Sequence, residues 1–396
     1  MRVACVYIPS FPLQVLVRNA PHLAGKAVAV SDDAPRPRIV AVSRAAWESG
    51  VRPGMTPAHA RAMAPGVIVE PADFAANRAA VDALADSLLA ASTAVDTGGD
   101  AERAHKAVFV GVPHGSRGAT FGDKLIATAN RQGLRARVGI ADDRFTAWAA
   151  AAVPARTGDP AHADLDGQAP LFTQTCKTVP RGGSAAFLAP LPMTLLPLED
   201  DVRHVLASLD VRSIGDFAAL PPPTVGRRWT ESGVDLHELA RGAGPTGLTR
   251  FTPSGTIAET LLLEREVGEV DPIAFMLHPV IDRVAERLRG RGRAAVGISI
   301  RLAGGDERGR GARTSLPLRL PNATASSRSL LDAVRAALIS APLTHAVQSA
   351  TVEVVAETEP EVEELELFTT RPHRRTRRGK RGRGRSRQQA LPLIQR

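Results

Sequence analysis

Cysteine is nearly absent from this chain of 396 residues: Cys5 and Cys176 are the only two, and they lie far apart. That argues against a disulfide framework and a Cys-rich metal site. The ten histidines fall into no HExxH or similar ligand spacing, so no metal site is legible by that route and no cofactor is expected. Long hydrophobic runs are missing as well. None approaches the roughly 18 uncharged apolar residues of a membrane span, and the N-terminal apolar stretch is cut by Pro9 and Pro12. The expected location is cytoplasmic, with no membrane partner.

Acidic residues are missing at both ends. The first is Asp32, and residues 371–396 hold none against ten arginines and Lys380. Removing those eleven cations from the net charge of +9 leaves residues 1–370 at −2. The basicity is thus a property of the tail, where RRTRRGKRGRGRSR has almost no apolar side chain to bury. Such a tract is expected to be disordered and to attract nucleic-acid phosphates by counterion release, through Arg374, Arg375, Arg377, Arg378, Lys380, Arg381, Arg383 and Arg385. A solubilising tail is the alternative. DNA contact would place the protein at the nucleoid.

What is present is 44% hydrophobic residues in a chain too long for one core, which implies two to four domains. Over the first 160 residues, short apolar runs (3–8, 27–30, 39–42, 107–112, 136–140) alternate with helical patterns (75–92, 122–132, 145–152), an α/β arrangement. From about Phe187 the texture changes. Apolar residues recur at helical spacing, Val202, Val205, Leu206, Leu209 and then Ile214, Phe217, Leu220, a small all-helical unit ending near Gly242. From about Thr256 the order is strand 260–264, helix 271–289, strand 295–302, a Gly-rich hairpin, strand 314–320, helix 326–340, strand 349–356. That is βαββαβ, the ferredoxin-like order.

An α+β multidomain chain with this part list resembles a Y-family, lesion-bypass DNA polymerase. IVAVSRAAWESGVRPGM (39–55) resembles the fingers segment of that family, RVGIADDRFTAWAAA (137–151) the end of its palm, and LDVRSIGDFAALP (209–221) its thumb. The resemblance covers about residues 1–356. It implies palm and fingers over 1–165 (fingers about 20–74), a helical thumb over 166–245, a little finger over 254–357, and a tail over 358–396, acidic and then basic.

Chemistry in that family needs carboxylates that hold two Mg²⁺ ions roughly 4 Å apart. Here the first-strand positions read Val6, Tyr7, Ile8, Pro9 and Phe11, and the second motif, an acidic pair in the family, reads His105 and Lys106. Tyrosine does not ligate Mg²⁺ at neutral pH, and a lysine puts a cation where an anion belongs. The expectation is therefore no catalytic residue, with Tyr7, Pro9, His105 and Lys106 as degenerate positions. A shifted register would instead offer Asp96, Asp100 and Glu102. The family's nucleotide-holding Tyr and Arg fall at Arg44 and Trp47, read as a surface helix residue and a packing residue. Its phosphate-gripping thumb turn falls at PLEDD (197–201), whose acids would repel phosphate.

Y-family homologues without the carboxylates form the ImuB type, adaptors that link an error-prone C-family polymerase and a RecA-like accessory protein to the bacterial sliding clamp. The resemblance implies that role in the SOS response and translesion synthesis, the alternative being a divergent but active lesion-bypass polymerase. The tail ends in QALPLI, whose Gln389, Leu391, Leu393 and Ile394 are similar to the clamp-binding peptide Gln-x-Leu-x-Leu-Phe. A second candidate is EELELF, with Leu365, Leu367 and Phe368. The hairpin GGDERGRGARTSLPLRL offers Arg308, Arg310 and Arg313, with Arg301 and Arg319 on its flanking strands, for backbone phosphates.

Overall fold

The N-terminal apolar run is a strand with neighbours on both sides. In the computed structural model, which describes residues 1–98, 105–153, 174–221, 234–305, 311–341, 343 and 345–360, β1 (Val3–Ile8) is buried along its whole length. It is the centre of a five-stranded sheet with β5 (Val95–Asp96), β6 (Lys106–Gly111), β7 (Arg137–Ala141) and β8 (Cys176–Thr178), in the order β5-β6-β1-β7-β8. β1 runs antiparallel to both β6 and β7, with Val6 opposite Val108 and Val138. A strand packed on both faces needs no polar alternation, which is why VACVYI reads as continuous apolar sequence.

Alternate side chains of β1 feed two cores. Ala4, Val6 and Ile8 pack with α4 (Phe74–Leu88) and α5 (Gly118–Arg131), whereas Val3, Cys5 and Tyr7 pack with α6 (Arg144–Ala152). α6 starts on Asp143, whose carboxylate accepts from Thr146 N–H at 2.8 Å and from Ser184 Oγ at 3.0 Å. Asp143→Ala removes the cap and orphans a buried hydroxyl, so we expect a loss of about 1–2 kcal/mol, read as a lower urea midpoint that Asp143→Asn largely restores.

The region expected to form the fingers contains a three-stranded sheet ordered β3-β2-β4, from β2 (Val28–Ser31), β3 (Ile39–Val42) and β4 (Ile68–Pro71), with short helices α2 (Arg44–Glu48) and α3 (Pro57–Met63). Ser43 and Thr56 cap these helices. Helix α1 (Phe11–Asn19) was not expected, because its first turn contains Pro12. Proline is tolerated there, where no intrahelical N–H bond is required.

The helical unit comprises α7 (Ser184–Leu188), α8 (Asp200–Ser208), α9 (Ile214–Ala218) and residues 234–240. Its core includes Leu188, Leu206, Ile214 and Phe217, and Ala149 of α6 joins it. Ser213 and Asp216 form a capping box on α9.

The last unit has β9 (Ala258–Val267), α10 (Val270–Arg291), β10 (Ala294–Gly305), β11 (Gly311–Thr324), α11 (Ser327–Ser340) and β12 (Val347–Thr358). The βαββαβ order is as the spacing implies. The sheet order is β11-β10-β12-β9 with every pair antiparallel. β9 and β10, joined through α10, therefore run parallel to each other with β12 between them, a split βαβ unit. Both helices contribute to the core on one face of the sheet.

Residues Met1–Pro360 form one compact unit, and within it α10 lies against α4. A buried ionic network joins them. Glu259 of β9 accepts from Arg18 Nη2 at 2.7 Å, Arg283 Nε at 3.0 Å and Arg287 Nη1 at 3.1 Å. Asp86 of α4 accepts from Arg287 Nε and Arg291 Nη2, both at 2.9 Å. Burial lowers Arg18 to about 10, still cationic at neutral pH. No helix among the described residues is long and apolar enough to cross a membrane.

Candidate functional site

The end of the sheet where the resemblance places carboxylates is built from Tyr7, His105, Lys106 and Arg137. The strand register sets Lys106 beside Ile8, and Arg137 beside Tyr7. Tyr7 is 7% exposed, Lys106 2% and Arg137 3%. The Tyr7 and His105 rings lie 5.6 Å apart between centroids, and the Arg137 guanidinium sits 5.8 Å from the Tyr7 ring centre. Ser10 N–H donates to His105 Nδ1 at 3.0 Å, which makes that nitrogen an acceptor.

Burial pushes the Tyr7 phenol up to about 12, against the opposing pull of Arg137. It is therefore a neutral hydroxyl at physiological pH. Hard divalent cations require oxygen ligands of high charge density, and among the described residues this end of the sheet presents two buried basic side chains and a neutral phenol. Among the described residues no group of three or more His, Cys, Asp or Glu side chains is placed to hold a metal ion. Pro9 leads into Ser10, a non-glycine residue in the left-handed region (φ 46°), whose carbonyl accepts from Leu13 and Gln14 N–H. Asp100 and Glu102, two acids of the shifted register, lie outside the described residues. The third, Asp96, accepts from Gly98 N–H, from Arg144 Nη1 at 2.7 Å and from Thr249 N–H at 2.9 Å. Its oxygens tie the 246–250 segment to the sheet.

Arg44 is paired with Glu48 at 2.7 Å, one turn along α2. The Arg52 guanidinium caps Trp47 at 3.7 Å from the ring centre. In the PLEDD turn, Glu199 is the N-cap residue of α8, so a carboxylate stands at the positive end of the helix. Cys5 and Cys176 are both free thiols.

The face of the βαββαβ sheet opposite its helices collects the expected DNA-contacting arginines. Arg313 is beside Ala303, Ser315 beside Arg301, and Arg319 beside Gly297. These three arginines are exposed, with small residues between them. Arg301 is partly neutralised by Glu353 at 2.6 Å. Arg313 was expected in the hairpin and Arg301 and Arg319 on its flanking strands, and the strand register is what puts all three on one face. Arg308, Arg310, the tail arginines, Lys380 and both clamp-peptide candidates lie outside the described residues.

Sequence comparison agrees with this architecture. Residues 6–152 match the family model described as IMS, the impB/mucB/samB family. The chain is 28% identical over 251 residues to Protein ImuB of Caulobacter vibrioides, covering 62% of this chain and 49% of that protein. It is 24% identical over 231 residues to DNA polymerase IV of the same organism, covering 58% of this chain and 52% of that one. The chain spans about half the length of the curated relatives it matches. Among solved structures, DinB from Sulfolobus solfataricus aligns over 89% of this chain and 98% of its own, at 15% identity and a TM-score of 0.48. The Dbh insertion ternary complex aligns with the same coverage, at 16% identity and a TM-score of 0.49.

Proposed function

We propose that this protein is a non-catalytic Y-family homologue that acts as an adaptor in damage-induced translesion synthesis and mutagenesis. The observation that carries the reading is the composition of the metal end of the sheet: Tyr7, His105 and Lys106 where carboxylates are needed, with Lys106 and Arg137 buried there. Two basic side chains and a neutral phenol cannot assemble a two-metal centre for phosphoryl transfer. The similarity to Protein ImuB supports the adaptor role.

In this reading DNA is held without sequence preference. The exposed Arg301, Arg313 and Arg319 face and the arginine-rich tail supply phosphate contacts. Gln389, Leu391, Leu393 and Ile394 engage a bacterial sliding clamp as an extended peptide, with Leu365, Leu367 and Phe368 as the second candidate. An error-prone C-family polymerase and a RecA-like accessory protein are the further partners.

The test is calorimetric titration of the full chain with a bacterial sliding clamp, alongside Mg²⁺-dependent primer extension. We expect micromolar clamp binding that is abolished by Gln389→Ala, Leu391→Ala, Leu393→Ala, and no extension above background. Binding that survives the triple substitution moves the contact to Leu365, Leu367 and Phe368. Absence of clamp binding by the parent chain removes the adaptor reading, and robust extension establishes an active polymerase instead.

A further inference from the structure

The sheet has a second functional end. Val3, the first residue of β1, pairs with Gly111 and Ala141, about 13 Å along the strand from Tyr7. Here a crevice of about 880 Å³ opens, walled by the 111–118 loop, the loop after β8 and the 246–250 segment. The volume lies within the range of small-ligand sites.

Its charges do not cancel. Asp142 is the one carboxylate among the lining residues, and it is already engaged, by the Arg2 guanidinium at 3.2 Å and by Gly182 N–H at 2.7 Å. Arg181 and Arg250 line the same crevice, and neither side chain makes an ion pair or hydrogen bond among the described residues. His114 and Ser116 add a titratable ring and a hydroxyl from the glycine-containing turn that closes one wall. Both arginines are exposed, and two cations facing a concave space raise the local concentration of anions more than the same charges on a convex surface would.

Both arginines sit on backbone that is fixed from either side. Val179 N–H donates to Ile140 O at 2.8 Å and Gly182 N–H to Asp142, so Arg181 projects from a pinned loop. Thr249 N–H donates to Asp96 at 2.9 Å and Phe251 N–H to Val95 O at 2.7 Å, which pins Arg250 likewise. Pinned backbone leaves only side-chain freedom to be lost when these guanidiniums take a phosphate in charge-assisted hydrogen bonds.

We propose that this crevice is an anion site, in which Arg181 and Arg250 bind phosphate groups presented by a nucleotide or by a strand of DNA. It is separate from the Tyr7 end of the sheet and from the arginine face of the βαββαβ unit, and it does not depend on the adaptor reading.

Hydrogen exchange on the full chain, read by mass spectrometry over residues 111–118 and 246–251, tests it with three probes: inorganic pyrophosphate, dATP and a 12-nucleotide single strand. The double variant Arg181→Ser, Arg250→Ser is measured beside the parent. It keeps the basic tail, so protection arising from tail contacts is common to both proteins. We expect protection of these segments in the parent, with affinity about 10–100-fold weaker in the double variant. Protection by pyrophosphate or dATP assigns the phosphate to a small molecule, and protection by the oligonucleotide alone assigns it to a strand. Protection unchanged in the double variant, or none in the parent with any probe, overturns the proposal.

Discussion

Glu259→Ala should loosen the contact between α10 and α4 by about 3–5 kcal/mol, the cost of leaving buried charges without their partner. Glu259 is 4% exposed and receives three guanidiniums, from Arg18, Arg283 and Arg287. Burial alone would raise its pKa. The three cations win, and hold the carboxyl below the usual carboxylate range. Removing it leaves three arginines facing one another, with only Asp86, fully buried, to bind Arg287 and Arg291.

The measurement is amide exchange in α10 and α4 at neutral pH, expected to run about 10²–10⁴-fold faster in the variant. Glu259→Gln, which keeps an acceptor oxygen and loses the charge, should fall between. Exchange unchanged in Glu259→Ala would mean that the network holds nothing together. The pH dependence has a defined sign. A carboxyl whose folded-state pKa lies below its unfolded value contributes stability that is complete above the unfolded value, near 4.5, and is lost as pH falls through the folded one. The contact should therefore be insensitive to pH between about 6 and 8 and open on acidification.

Gly139→Val should have a comparable effect through a different mechanism. Gly139 lies in β7 directly beneath α6, where an added Cβ would stand 2.6 Å from the Ala151 nitrogen and 2.9 Å from the Ala150 Cβ, and closer still to the Ala147 carbonyl. Backbone cannot yield as a flexible side chain can, so the helix must lift. A branched side chain there should cost about 3 kcal/mol or more. The consequences spread because α6 serves two neighbours. Ala149 belongs to the core of the helical unit, and Arg144 at its start holds Asp96 at 2.7 Å. We expect faster exchange over residues 184–220 and a weakened crevice at Arg250, with Gly139→Ala milder in both. Native exchange over 184–220 in Gly139→Val would show that the helical unit does not depend on its seat on α6.

The comparison of sequence with structure divides by physical cause. Strand and helix periods were legible where one face is buried: β1 and β3 fall on the expected residues, and most other strands are displaced or extended by one to three. α1 escaped because Pro12 read as a breaker, although in a first turn it breaks nothing. α5 begins four residues before the expected Gly122 because no side-chain cap marks its start at Arg117.

By itself, the sequence determined the βαββαβ order, the helical unit, the concentration of positive charge in the tail and the presence of Tyr7, His105 and Lys106 where the resemblance expects acids. Each is a matter of local period or residue identity. The tertiary structure alone decided the antiparallel order of the last sheet, the burial of Arg18, Asp86, Glu259, Arg283 and Arg287, and the meeting of Arg181 with Arg250. In sequence those arginines and acids look like solvated charges, because polarity along a helix or strand reports only which face is wet in isolation. Whether a charge is buried depends on a partner that chain folding brings from more than a hundred residues away, as it brings Arg18 to Glu259 and Asp86 to Arg287.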